Sequence, residues 1–212
     1  MNIHTQILNL VEACHRAARY DLIRYSSGNF SCRLDHERFA ITGRGTWLGH
    51  LTTSDIVTCR LADGSSLDSR SPSVESRFHA GILRCRPEME VVLHFQSPAA
   101  TAIACTDPSL WNFMIIPEIP FYIGSIAWIA YDNPGSPELA EAVIHAAATH
   151  NMVLLRNHGL VTVGKSFDDA LQKAGFFELA CSILLQSGGK ATPIPPAGIE
   201  ALHQRAAAEK SA

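Results

Sequence analysis

The residues best suited to chemistry stand near the middle of the chain, where His94-Phe95-Gln96 closes the apolar run Val91-Val92-Leu93. Glu75 lies upstream, and far downstream His158 sits in Arg156-Asn157-His158-Gly159. On a β-strand, residues two apart project to the same face. Positions 94 and 96 can therefore reach one ion together, with His158 as a third donor. A histidine at position 96 would complete a three-histidine zinc site with an open coordination position. The chain carries glutamine there, an amide oxygen of similar reach but a weaker and harder donor. Each residue also has an ordinary use. A buried histidine at a strand end commonly hydrogen-bonds within the core, and an acidic residue in a first helical turn complements the helix dipole. His158 fits a tight turn. His79 reads mainly as structural, and it is also an i+4 partner for Glu75.

A second kind of chemistry is anion binding. Ser27-Gly28-Asn29, Thr42-Gly43-Arg44-Gly45 and Ser73 are small-residue turns or a helix start, with hydroxyls and free backbone N–H groups that can cradle a phosphate. Arg44 adds a fixed charge with forked donors suited to phosphate or carboxylate. Taken singly, these are also just turns, a cap and a surface arginine.

Hydrophobic periodicity supplies the elements that must position these residues. Helical spacing runs over Thr5 to Tyr20, Ser73 to Arg84, Pro98 to Ala104, Pro137 to Thr149 and Phe167 to Gln186. Ser73 is the expected N-cap of the second helix, with Glu75 in its first turn. Strands are predicted over Phe30 to Leu34, Arg38 to Thr42, Ile56 to Arg60, Met89 to His94, Met152 to Arg156 and Leu160 to Val163. Tyr122 to Tyr131 is also strand-like. Helices interleaved with many short strands predict a layered α/β domain. That domain occupies 1–190, and a Pro/Ala-rich tail over 191–212 can end in a helix.

Composition narrows the function classes. The chain has 212 residues, 47% hydrophobic and 17% charged, with net charge −3. That suits one domain with a substantial core and excludes a disordered chain. No basic run marks nucleic acid or an anionic membrane as a partner. The apolar stretch from Ile115 to Tyr131 contains Pro117, Glu118 and Pro120, a poor membrane span. The start shows no charged n-region followed by an apolar stretch, and the six cysteines are scattered without a Cys-x-x-Cys pair. A cytoplasmic protein with reduced thiols is expected.

In this order the segments resemble the class II aldolase/adducin family. Ser27-Gly28-Asn29-Phe30-Ser31 is similar to its Gly-Asn phosphate turn, and Ile41-Thr42-Gly43-Arg44-Gly45 with Leu51 to Val57 to its second loop. Pro72-Ser73-Val74-Glu75-Ser76-Arg77-Phe78-His79, Arg86-Pro87 through His94, and Arg156-Asn157-His158-Gly159-Leu160-Val161 resemble its acid/base, metal-strand and third-ligand segments. The resemblance extends from about Ile7 to Gln186. It implies a single three-layer α/β/α domain with a central, mainly antiparallel sheet, assembled as a homo-oligomer, a tetramer above all.

The resemblance also implies roles and chemistry. Glu75 is the acid/base, and His94, Gln96 and His158 hold a divalent metal. Ser27, Gly28, Asn29, Thr42, Gly43, Arg44 and Ser73 bind the substrate's phosphate. The implied reaction is aldolase-type cleavage of a small phosphorylated ketose through a metal-stabilised enediolate. Dehydration or epimerisation on the same scaffold is the alternative, as is an inactive adducin-like binding protein. Zinc is the expected metal, and Gln96 opens the way to manganese or cobalt. Three departures stand out: Gln96 in place of histidine, Gly43-Arg44 where the family usually carries proline then serine or threonine, and a tail after Ser187 without tyrosine.

Overall fold

A computed structural model describes residues 2–211, with side chains to residue 209. Its centre is one seven-stranded sheet built from β1 (Asn29–Arg33), β2 (Arg38–Thr42), β3 (Ile56–Arg60), β4 (Val91–Phe95), β5 (Ile126–Ile129), β6 (Met152–Leu155) and β7 (Gly159–Gly164). The strand order is β3-β2-β1-β4-β7-β6-β5. Only the β5–β6 pair is parallel; the other neighbours are antiparallel. The mainly antiparallel sheet implied by the family resemblance is therefore present.

Strand alternation divides the core into two layers. Val91, Leu93 and Phe95 of β4 join one apolar cluster, in which α1 (Ile3–Arg19), α3 (Pro98–Ala104) and α5 (Phe167–Gln186) cover the sheet. Val92 joins the cluster on the opposite face, under α2 (Ser76–Cys85) and α4 (Pro137–Ala147). His94 shares the face of Val92, so the pleat aims it at α2. Its ring meets Phe78 of α2 edge-on at 6.1 Å. The three layers are thus helices, sheet, helices.

Two local expectations are corrected. The apolar stretch from Tyr122 to Tyr131 is not one strand. Residues Ile119–Ile123 form a wide helical turn closed by the Gly124 N–H on the Ile119 carbonyl at 2.8 Å, and β5 starts only at Ile126. Tyr122 and Ile123 are taken up by that turn, and Gly124, at φ 82°, breaks the run before β5. In α2 the N-cap is Glu75, not Ser73, and its side chain makes no capping bond. Ser73 instead opens a tight turn in which its carbonyl accepts from the Ser76 N–H at 3.1 Å. This turn frees the Glu75 carboxylate to point inward.

The chain beyond Thr192 returns to the domain and ends in α6 (Pro196–Ser211). The Ile194 N–H donates to the Met114 carbonyl at 2.7 Å, and Arg205 lies over the Phe121 ring at 5.6 Å.

The exit from β4 is pinned. Glu178 of α5 accepts from the Ser97 hydroxyl at 2.6 Å and from the Ala99 and Ala100 N–H groups at 2.8 Å each. It caps α3 from another helix and fixes the chain directly after Gln96. Glu178→Ala leaves these donors unmet and is expected to cost about 2 kcal/mol, while Glu178→Gln costs less. Urea denaturation of both variants reads the difference; equal stability of wild type and Glu178→Ala would refute the capping role.

Candidate active site

The sheet and α2 bring Glu75, His94 and His158 to one point. Their ligand-capable atoms all lie within 4.8 Å of one another. His94 leaves the end of β4, Glu75 the start of α2, and His158 the tight turn between β6 and β7. That turn depends on its neighbours. Asn157 takes φ 55°, a left-handed conformation that asparagine tolerates. A Cβ at Gly159 would come within 2.7 Å of the Phe95 carbonyl and 2.8 Å of Gln96 Cγ. Gly28 has φ +69°, and a Cβ there would lie 2.6 Å from the His94 carbonyl. The Ser-Gly-Asn and Asn-His-Gly patterns are thus steric requirements of packing two turns against the end of β4.

Hydrogen bonds settle which atoms face the centre. His94 Nδ1 contacts the Leu160 carbonyl at 2.9 Å. A carbonyl only accepts, so Nδ1 carries the proton and the neutral ring's Nε2 presents a lone pair. That Nε2 is 3.5 Å from Glu75 Oε2, and His158 Nε2 is 3.5 Å from Glu75 Oε1. Glu75 Oε1 and His158 Nδ1 are buried without hydrogen-bond partners. The His94 lone pair beside Oε2 and the partnerless Oε1 beside His158 lie close enough together to suit a shared cation. This donor set fits a divalent metal such as zinc, manganese or cobalt.

Behind the carboxylate runs a polar chain that sequence reasoning missed. Asn29 Nδ2 donates to Glu75 Oε2 at 2.7 Å. The Asn29 carbonyl therefore faces His79 Nε2, which must be the protonated nitrogen. His79 Nδ1 in turn accepts from the Ser31 hydroxyl at 2.6 Å. His79 is fully buried, and burial holds its pKa well below 6.5, so it stays neutral. It serves Glu75 through Asn29, not as the direct i+4 partner expected. The available signal was that Asn29 and Ser31, two apart on β1, share one face.

The remaining site residues surround a cleft of about 310 Å³. Ser27, Gly28, Asn29, Gly43, Arg44, Ser73, Glu75, His94, Gln96 and His158 line it; Thr42 does not. The Thr42 hydroxyl oxygen instead accepts from the Phe30 N–H at 3.4 Å. The Gly43-Arg44 turn also differs from the expected open cradle. Its N–H groups donate to the Asp55 carbonyl at 2.8 Å and the Ser71 carbonyl at 3.1 Å. Gly45, part of the predicted Thr42-Gly43-Arg44-Gly45 turn, also lines the cleft, and Ser26, Thr46, Val74 and Pro134 complete the wall. The Gln96 amide has no hydrogen-bond partner among the described residues and lines the same cleft.

The imidazoles set an acid sensitivity. Burial, then repulsion by His94, lowers the His158 pKa from 6.5 to about 4, with Glu75 opposing the shift. His79 moves in the same direction. Between pH 6.5 and 4 the unfolded chain therefore binds more protons than the folded one. Stability is fully present above pH 6.5 and falls as pH falls. The metal-free protein is expected to lose stability as pH falls from 6.5 towards 4 on this account. A urea midpoint that stays flat from pH 7 to pH 4.5 would contradict it.

A layered α/β domain that gathers imidazoles and a carboxylate in an open cleft defines an enzyme-like site suited to a divalent cation. The chain belongs to the class II aldolase and adducin N-terminal domain family, which matches residues 8–185. It is similar to 3-oxo-tetronate 4-phosphate decarboxylase of Haemophilus influenzae, with 35% identity over 147 residues covering 68% of this chain and 70% of that protein. It is similar to L-fuculose phosphate aldolase of Methanococcus maripaludis, with 30% identity over 172 residues, 81% of this chain and 92% of that protein. Methylthioribulose-1-phosphate dehydratase of Methylococcus capsulatus is 34% identical over 180 residues, 79% of this chain and 87% of the relative. The solved structure of YgbL from Klebsiella pneumoniae matches in fold, with TM-score 0.87 and 22% identity over 95% of this chain and 99% of YgbL. The chain is an enzyme of the class II aldolase superfamily. Among the described residues no helix is long and apolar enough to cross a membrane.

Proposed function

We propose that the protein is a divalent-metal-dependent carbon–carbon lyase acting on a small phosphorylated ketose, with Glu75 as its acid/base. The observation that carries this reading is the Glu75 carboxylate itself: one oxygen is fixed by Asn29, and the other is partnerless beside His158 in an open cleft. His94, His158 and Gln96 would hold the metal, which when bound supplies Lewis acidity to the substrate's carbonyl and neighbouring hydroxyl oxygens.

The chain's own residues do the rest. Asn29 and His79 hold the carboxylate plane still, so Oε1 is the atom that moves a proton. As the carbon–carbon bond breaks, the hydroxyl next to that bond gives its proton to Glu75 and becomes the carbonyl of the leaving aldehyde. The carbon beside the ketone keeps the electron pair, and Glu75 passes the proton to that carbon. The Ser27-Gly28 turn and the Ser73 turn line the same cleft and limit how the substrate lies.

Decarboxylation of a 3-oxo acid phosphate is a second reading, favoured by the Haemophilus relative. It shares the later steps: carbon dioxide leaves in place of an aldehyde, its bonding electrons stay on the carbon beside the ketone, and Glu75, protonated from water beforehand, gives that carbon a proton. We further propose a homotetramer, supported by the apolar exposure of Tyr25, Trp47, Val74 and Tyr131. Cytoplasmic residence is supported by six unpaired cysteines.

The test is to offer the zinc-, manganese- or cobalt-loaded protein ketose 1-phosphates and 3-oxo-tetronate 4-phosphates and to identify products by mass spectrometry. An aldehyde with dihydroxyacetone phosphate establishes aldol cleavage, and carbon dioxide establishes decarboxylation. A protein that takes up no divalent ion at micromolar excess sinks both.

A further inference from the structure

At the end of the sheet away from Glu75 lies a second cavity, of about 530 Å³, that shares no lining residue with the catalytic cleft. β1 and β4 join the two places. They pair Asn29 with His94 at the catalytic end and Cys32 with Val91 at the other. Cys32 and Val91 are buried, as is Ala13 of α1, and with the half-buried Phe167 they give the cavity an apolar side. An ion pair between Arg16 and Asp168 ties α1 to α5 beside it. A cavity of this size with an apolar side and a few polar groups is the usual form of a small-molecule site.

Three polar side chains on its wall have bonding capacity left. Gln6 Nε2 donates to the Arg33 carbonyl at 3.0 Å, which fixes the amide, because a carbonyl only accepts. Gln6 Oε1 is then left buried without a partner. Arg33 Nη2 donates to the Leu83 and Met89 carbonyls, yet the Arg33 Nε–H is also buried and partnerless. Glu90 Oε2 stands 3.9 Å from that Nε, beyond hydrogen-bond reach. Lys165 adds an exposed ammonium that makes no hydrogen bond or ion pair with any described residue. Buried polar atoms are nearly always satisfied. An orphaned donor and an orphaned acceptor beside one cavity point to a ligand that supplies both complements.

We propose that this cavity is a second ligand site, for a small carboxylate that carries an N–H or O–H donor on the adjacent carbon and a short apolar body. The carboxylate answers Arg33 Nε and Lys165, since hydrogen bonds from a cation to an ionised acceptor are the strong ones. The donor answers Gln6 Oε1. The apolar body lies against Ala13, Cys32, Val91 and Phe167. A 2-hydroxy acid and a 2-amino acid share this chemistry. The site stands apart from the reaction assigned to the catalytic cleft and does not depend on it.

Isothermal titration of the metal-free, full-length chain with 2-hydroxyisovalerate, valine and isovalerate tests the assignment in wild type, Gln6→Leu and Lys165→Gln. Wild type is expected to bind at least one of the first two probes with a Kd on the order of 1 mM, and the tighter of them names the donor. Isovalerate, which lacks that donor, should bind about tenfold more weakly. Gln6→Leu should erase the difference. Lys165→Gln, a change to an exposed side chain, should weaken every probe that binds by about threefold. A wild type that binds neither donor-bearing probe at about 20 mM overturns the proposal. So does identical binding by wild type and both variants, which would move the probes to another part of the chain.

Discussion

Glu75→Gln is expected to lower turnover by about 10²- to 10⁴-fold, the range a positioned acid/base contributes, while leaving the chain folded. Glutamine nearly matches glutamate in shape, and its carbonyl oxygen can still accept from Asn29 Nδ2, the bond that spans 2.7 Å in the native site. The Ser31–His79–Asn29 chain behind it is then preserved, because each donor keeps its acceptor. What disappears is the partnerless oxygen near His158, the atom able to take up and return a proton. Turnover and thermal unfolding measured on the same preparations separate the two effects. A variant that keeps more than about a tenth of wild-type turnover would remove Glu75 from the acid/base role.

That expectation depends on an arrangement only partly legible in the sequence. The strands Arg38–Thr42 and Ile56–Arg60 were readable because a short apolar run bounded by turn residues is a local property, and so were the helices that carry a continuous apolar stripe. The stretch before β5 was not, because an apolar run speaks to burial and not to backbone geometry. Gly124, at φ 82°, closes the helical turn and separates it from β5. Strand order was out of reach for a related reason. β4 pairs with β1 on one side and β7 on the other, partners far away in the chain, and no local pattern encodes such a choice.

The candidate site divides in the same way. Glu75, His94 and His158 were legible as a group because their spacing matches a known pattern, and the structure does bring them to one point. The use made of Asn29 was not legible. Its amide faces Glu75 and His79 because β1 pairs Asn29 with His94 and α2 turns Glu75 and His79 toward that register. The same register buries the Thr42 hydroxyl against β1, away from the cleft. Residue type alone gives each of these groups a capacity. Which capacity is spent internally, and which is left for a ligand, follows from the fold.

Gln96 shows where the two kinds of information meet. Its amide is unpartnered in the cleft, its Cγ lies close over Gly159, and the chain just after it is clamped by Glu178. The backbone at this position is therefore set independently of the side chain, and Gln96→His should place an imidazole in the same region. Imidazole suits zinc better than an amide oxygen does. The variant is expected to bind zinc at least about tenfold more tightly, since even outer-shell partners of a metal ligand change affinity by 10- to 100-fold. Competition against a chromophoric chelator reads that change without any substrate. Turnover measured alongside gives the second half of the answer. Tighter zinc with higher turnover means the native glutamine weakens a zinc site. Tighter zinc with lower turnover means glutamine serves a harder metal or the substrate itself. Unchanged zinc affinity would take position 96 out of the metal site and leave His94 and His158 as the proposed ligands.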